Sequence, residues 1–232
     1  LVFGNVYLIR TNATLFSITS SNYKIDRIAI AVLKDDAAQT LEDEADYSFG
    51  AQSISGSDKV EQAISEASED IGQDLSYDYY EDPYGLVKDL YDGDIDAIIY
   101  NTAYNSSLTE HYPTFEQDIR ELKQIEIKTK VDKVSGDNKN VTKDAFTVFV
   151  SGIDTEGSID TTSRSDVNML VTVNPKTKQV LMTSIPRDYY VQLPGVSGES
   201  YDKLTHAGLY GVQTSMDTLG NLYGVDVQHY IR

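Results

Sequence analysis

VNMLVTVNPKTKQVLMTSIPRD (Val167–Asp188) holds two strand-like runs, 167–173 and 179–185, on either side of the turn residues NPKTK. β-branched and long apolar side chains fill both runs, while Asn, Pro and Lys fill the gap between them. This pattern predicts a β-hairpin. The dipeptide Pro186-Arg187 followed by Asp188 marks a tight exit from the second strand. Upstream, AFTVFVSGID (Ala145–Asp154) is a near-continuous β run that ends in Gly-Ile-Asp. Further upstream, IEIKTKV (Ile125–Val131) alternates apolar and polar residues as a half-exposed strand does, and VSGDNKN (Val134–Asn140) reads as a turn cluster. Downstream, residues 203–223 carry Leu209, Val212 and Met216 as an apolar stripe at helical spacing. The hairpin thus stands among further strands and a helix, an α/β (α+β) pattern.

The N-terminal half has a different rhythm. IDRIAIAVL (Ile25–Leu33) reads as a buried strand, and residues 35–48 read as an acidic loop or short helix. Asp58–Ile71 places Val60, Ile64, Ala67 and Ile71 on one face of an amphipathic helix behind an aspartate cap. Tyr77–Tyr80 is a short strand candidate. Tyr84–Tyr91 is a second helix between Pro83 and Gly93, and Asp96–Asn101 is a strand. Thr114–Leu122 reads as a further helix. Strands alternating with helices predict a small α/β domain over residues 1–124, comparable in its layering to one lobe of a solute-binding protein, followed by the hairpin-bearing domain over 125–232. The fold class is thus α/β (α+β).

Composition narrows the function. The 232 residues carry a net charge of −18, and residues 1–124 contribute 8 basic against 24 acidic side chains. Such a surface repels phosphate backbones and disfavours nucleic acid as a partner. The absence of cysteine excludes thiol chemistry, disulfides and cysteine zinc sites. His111, His206 and His229 lack metal-ligand spacing. No apolar run is long enough to span a bilayer, no signal peptide is visible, and the sequence does not open with Met, as expected if a targeting segment precedes it.

The acidic loop between the strands is the chemical focus. Asp154 closes one predicted strand and Asp166 opens its neighbour, so adjacent strands would bring both carboxylates to one sheet edge. Mg²⁺ prefers such a site, taking one or two carboxylates and completing its shell with water and phosphate oxygens. Arg164 stands two residues before Asp166, and Arg187 leaves the end of the next strand; planar guanidinium forks suit phosphate. The same residues also fit a solvated loop in which Arg164 pairs with Asp160 or Asp166. DTEGSID offers alternating oxygen ligands, but its glycine is misplaced for an EF-hand. His206 is either a general base or a packed, capping histidine, and Lys203 either a phosphate contact or surface charge.

The elements FVSGID, SRSDVNML, SIPRDYY and YDKLTHAGLYG, in this order and spacing between Phe146 and Arg232, resemble the LytR-CpsA-Psr family of bacterial envelope proteins. The acidic N-terminal part is similar to the accessory domain of its streptococcal capsule-type members. The resemblance implies a membrane-anchored protein on the outer face of a Gram-positive cell, held by an N-terminal anchor missing from this sequence. It implies a phosphotransferase that moves a glycan, here capsular polysaccharide, from a polyprenyl-pyrophosphate carrier to peptidoglycan. It places the metal ligands, for Mg²⁺ or Mn²⁺, on Asp154 and Asp166 and the pyrophosphate-binding arginines on Arg164 and Arg187, with Lys203 as a further substrate contact. An apolar tunnel would take the lipid tail, with Met169, Val171 and Leu181 as candidate lining. The family domain continues past Arg232, so a missing segment or a second chain is expected to complete the fold and to supply the general base. Trypsin-like cleavage fits an arginine terminus, and residues 1–232 alone are expected to be inactive. A non-enzymatic capsule-assembly scaffold and a lipid pyrophosphatase are the alternative readings.

Overall fold

The computed structural model describes residues 23–44, 46–53, 57–130, 141–153, 161–197 and 200–232. The turn cluster Val134–Asn140 and the loop Asp154–Asp160, with its calcium-loop reading and the Asp160 pairing, lie outside them. The chain divides into two compact units, Ile25–Thr129 and one built on Lys130–Arg232.

The first unit runs β1 (Tyr23–Leu33), β2 (Ser48–Gln52), α1 (Ser57–Ile71), β3 (Ser76–Tyr80), α2 (Pro83–Asp92), β4 (Ala97–Asn101), α3 (Asn105–His111), α4 (Phe115–Asp118) and β5 (Ile119–Lys130). Its sheet has the order β3-β2-β4-β1-β5. β2 is parallel to both β3 and β4, whereas β1 is antiparallel to β4. β2–α1–β3 and β3–α2–β4 are therefore crossover units, and helix packing follows from their patterning. Val60, Ala63, Ile64 and Ala67 of α1 cover Ile28, Ile30, Phe49, Ala51 and Ile99. α2 is capped by Asp82, whose carboxylate accepts from the Tyr84 and Gly85 amides (3.0 and 3.1 Å), and Gly93 ends it at φ 76°.

One strand of this unit goes unannounced in the sequence, and one expectation is corrected. The acidic stretch 35–48 is the expected loop with a short helix, a 3-10 turn at Leu41–Glu44, but the strand that follows, β2, lies inside the sheet. SFGAQ is five residues long and contains Gly50, so no strand pattern announces it; a side chain at Gly50 would come within 2.6 Å of Ile95 Cδ1. The helix expected over Thr114–Leu122 stops at Asp118, and the chain continues as β5. Ile125 and Ile127 bury themselves in the core beneath α1. The strand expected to open the second domain is thus the later half of β5, and this unit extends through Thr129.

The second unit contains β6 (Phe146–Gly152), β7 (Val167–Asn174), β8 (Gln179–Ile185), β9 (Tyr190–Val191), β10 (Asp202–Lys203), α5 (Val212–Tyr223) and β11 (His229–Ile231). The larger sheet has the order β11-β6-β7-β8, with β6, β7 and β8 antiparallel in turn and β11 parallel to β6. The hairpin predicted over Val167–Ile185 is present, Asn174 facing Gln179 across the turn. Phe149, Leu170, Ile185, Leu193, Leu204, Ala207, Met216 and Leu219 form the core. The single helix expected over 203–223 is two elements: a 3-10 turn, Leu204–Tyr210, and α5, separated by Gly211 at φ 112°, a backbone angle that no continuous helix tolerates. Pairing places Val171 opposite Met182 and Thr172 opposite Leu181. Met169 and Val171 therefore share a face that Leu181 does not, and the three do not line one tunnel.

Candidate active site

Strand direction assembles the site. β6, β8 and β11 end, and β7 begins, at one edge of the four-stranded sheet. The residues just before β7, TTSRS (Thr161–Ser165), are polar yet buried. Hydrogen bonds offset the desolvation of Ser163 and Ser165. The Ser165 amide donates to Thr205 O (3.1 Å) and the Asp166 amide to Gly152 O (2.9 Å). Ser165 Oγ donates to Asn168 Oδ1 (2.8 Å) and lies 2.7 Å from Ser151 Oγ, while Asn168 Nδ2 donates back to Ser165 O (2.8 Å). Gly208 lets the 3-10 turn press onto this backbone: a Cβ there would sit 2.6 Å from Ser163 O and 2.7 Å from Ser165 N.

This scaffold aims three cationic side chains. Arg164 is only 5% exposed, and its Nη2 lies 3.8 Å from Asp166 Oδ1. Arg187, leaving β8, places Nη1 2.8 Å from the same oxygen. Thr205 Oγ1 donates to that oxygen at 3.4 Å. Arg187 is held in turn, because the Thr205 amide donates to its carbonyl (2.9 Å). Arg232, at the end of β11, donates through Nη2 to Ser163 Oγ (2.7 Å) and Ser163 O (3.3 Å). The geometry thus gathers Arg164, Asp166 and Arg187 around one carboxylate oxygen. Asp154 lies outside the described residues.

Lys203 Nζ lies 3.5 Å from Asp188 Oδ1, and Asp188 also lies 3.8 Å from Arg187 Nε. His206 Nδ1 lies 2.8 Å from Asp202 Oδ1 across the start of the 3-10 turn. Burial would raise the Asp202 carboxyl, but the hydrogen bond and charge of His206, with the Lys203 amide, outweigh it and hold the carboxyl below its ordinary 3.8. That contact gives the ring a local structural partner.

At the edge where Arg164 and Arg187 meet, Asp166 is the described carboxylate that could serve a hard divalent cation. Among the described residues no group of three His, Asp or Glu converges, which leaves no histidine-rich or three-carboxylate centre there. Mg²⁺ asks for less, namely one or two carboxylates beside phosphate oxygens. Asp166 Oδ1 is already engaged by Arg187 and Thr205.

Sequence reasoning did not single out Ser163, Thr205 or Arg232 as site residues. For Arg232 a signal exists: HYIR is a short apolar run closed by a charged residue, as SIPRD is. Three residues are too few to announce a strand.

The fold and site define a mixed α/β protein with an arginine-rich sheet edge. The chain belongs to the LytR_cpsA_psr family, whose model matches residues 108–232. It is similar to the polyisoprenyl-teichoic acid–peptidoglycan teichoic acid transferase TagT of Bacillus subtilis, with 42% identity over 93 residues, 38% of this chain and 28% of the relative. TagU of Enterococcus faecalis, which carries the same transferase name, is 39% identical over 92 residues, 38% of this chain and 29% of the relative. The biofilm regulatory protein A of Streptococcus mutans is 32% identical over 146 residues, 58% of this chain and 32% of that protein. The chain thus spans less than a third of these relatives. The crystal structure of B. subtilis TagU aligns over 38% of this chain and 34% of its own, at 36% identity and a TM-score of 0.32.

Proposed function

We propose that the protein is a phosphotransferase that moves a glycan from a polyprenyl-pyrophosphate carrier onto peptidoglycan. The observation that carries this reading is the convergence of Arg164 and Arg187 on Asp166 at one sheet edge, in a chain of a family whose named relatives include polyisoprenyl-linked teichoic acid transferases. An acceptor hydroxyl of peptidoglycan attacks the phosphorus that bears the glycan. The new O–P bond forms as the bond to the polyprenyl phosphate breaks, the hydroxyl proton passes to solvent or to the leaving phosphate, and a phosphodiester remains. Arg164 and Arg187 would hold the pyrophosphate and meet the charge that builds on the leaving phosphate; one such arginine is worth roughly 10³–10⁵ in rate in other phosphoryl-transfer enzymes. Asp166 and Asp154 would hold Mg²⁺ or Mn²⁺, which when bound neutralises phosphate charge. The glycan would be capsular polysaccharide and the setting the outer face of the cell membrane. Among the described residues no helix is long and apolar enough to cross a membrane.

The test uses the intact protein with a polyprenyl-pyrophosphate-linked sugar, peptidoglycan and Mg²⁺, following polyprenyl phosphate release and sugar attachment. Both are expected, and both are lost in Arg164→Ala and Arg187→Ala. Release without attachment would assign a pyrophosphatase with water as acceptor. The relative named as a biofilm regulator favours a second reading, a non-enzymatic scaffold. Lipid binding without release would support it and overturn the transferase.

A further inference from the structure

Arg232 has no role in the reaction as written, yet it grips the backbone that carries Arg164. Its guanidinium donates to both the hydroxyl and the carbonyl of Ser163, the residue immediately before Arg164. On the other side, the 3-10 turn leaves no room for movement, because even one methyl group at Gly208 would collide with Ser163 O and Ser165 N. The Ser165 amide is tied to Thr205 O, and the Asp166 amide to Gly152 O. Arg164 is therefore suspended between two braces. One is backbone hydrogen bonding to the turn and β6; the other is a side chain from β11, whose register on β6 (Ile231 beside Val150) brings Arg232 to this edge.

The geometry points to Arg232 as a positioning residue for anion recognition: it fixes the Ser163–Arg164 peptide and thereby the approach of the Arg164 guanidinium to a diphosphate. This rests on the phosphotransferase reading and adds a residue to it. The physics favours arginine over lysine here. Both bonds leave one nitrogen, Nη2, whose two N–H bonds are held at a fixed angle in the guanidinium plane, whereas the donors of an ammonium turn freely at the end of a flexible stem. Hydrogen bonds from charged donors are the stronger kind, so their loss should be felt at the ligand through Arg164.

The experiment is a double-mutant cycle on the intact protein, reading the affinity for inorganic pyrophosphate with Mg²⁺ by calorimetry. Arg232→Ala should weaken binding roughly ten- to hundredfold. In an Arg164→Ala background the same change should have almost no effect, because its route to the ligand is already gone. Arg232→Lys should recover little of the loss. Equal effects in the two backgrounds would overturn the proposal, since Arg232 would then act on its own or only through general stability. Nε–H NMR of the Arg164 guanidinium without ligand tests the brace independently of phosphate binding. If the wild-type protein binds no pyrophosphate, the phosphate-site reading fails, and a displaced Arg164 Nε resonance in Arg232→Ala still supports the brace. An unmoved resonance overturns it.

Discussion

Replacing Gly208 by alanine should loosen the site without touching a charged group. The added Cβ would lie 2.6 Å from Ser163 O, 2.7 Å from Ser165 N and 3.1 Å from the Arg164 carbonyl carbon. Non-bonded atoms of this size settle roughly 3.5 Å apart, so something must open by roughly 0.8–0.9 Å. All three obstacles are backbone, and their segment is tied to the turn and to β6 by the Ser165 and Asp166 amides. A flexible side-chain tip could swing aside cheaply; this backbone has no such path. Overpacking of this kind costs about 1–3 kcal/mol, and a clash with braced backbone belongs at the upper end, about 2–3 kcal/mol. The Ser165 amide bond to Thr205 O should bear most of it. Hydrogen exchange at Ser165 should therefore accelerate roughly 30- to 150-fold, while amides of the first unit stay unchanged. Exchange at Ser165 unchanged within a factor of two would refute the packing argument.

Three other outcomes follow from the same structure. Phe149 is fully buried in the core of the second unit, and Phe149→Ala should cost that unit about 3–5 kcal/mol in urea denaturation. Asp82→Ala removes two capping hydrogen bonds from the start of α2 and should cost the first unit about 1 kcal/mol, with Asp82→Asn nearly neutral in the same titration. Burial lowers the His229 pKa from its ordinary 6.5, so the unfolded chain binds more protons than the folded one just below that pH. Stability is whole above 6.5 and falls as pH drops through the lowered value; melting curves of His229→Asn should lose that slope while keeping the one below 3.8 that Asp202 contributes.

Much of the layering could be read from sequence, for a physical reason. Residues that pack on neighbours close in the chain leave a periodic trace: the stripe Val60, Ile64, Ala67 in α1, the paired runs flanking NPKTK, the Asp82-Pro83 and Gly93 boundaries of α2. β2 left no such trace, because a five-residue strand with a glycine is defined by its partners β3 and β4. The start of β5 carries a helix-like pattern, but pairing with β1, some ninety residues away, outweighs local propensity.

The sequence by itself determined the chemistry available at the site: Arg164, Asp166 and Arg187 stand at predicted strand ends, and strand alternation fixes which residues can share an edge. Only the tertiary structure decided that one oxygen of Asp166 receives Arg187 and Thr205, that Lys203 turns to Asp188, and that Arg232 reaches Ser163 from a strand 69 residues further on. Contacts of this kind depend on register between distant strands and on a glycine thin enough for two backbones to meet, and neither quantity is encoded in a local window.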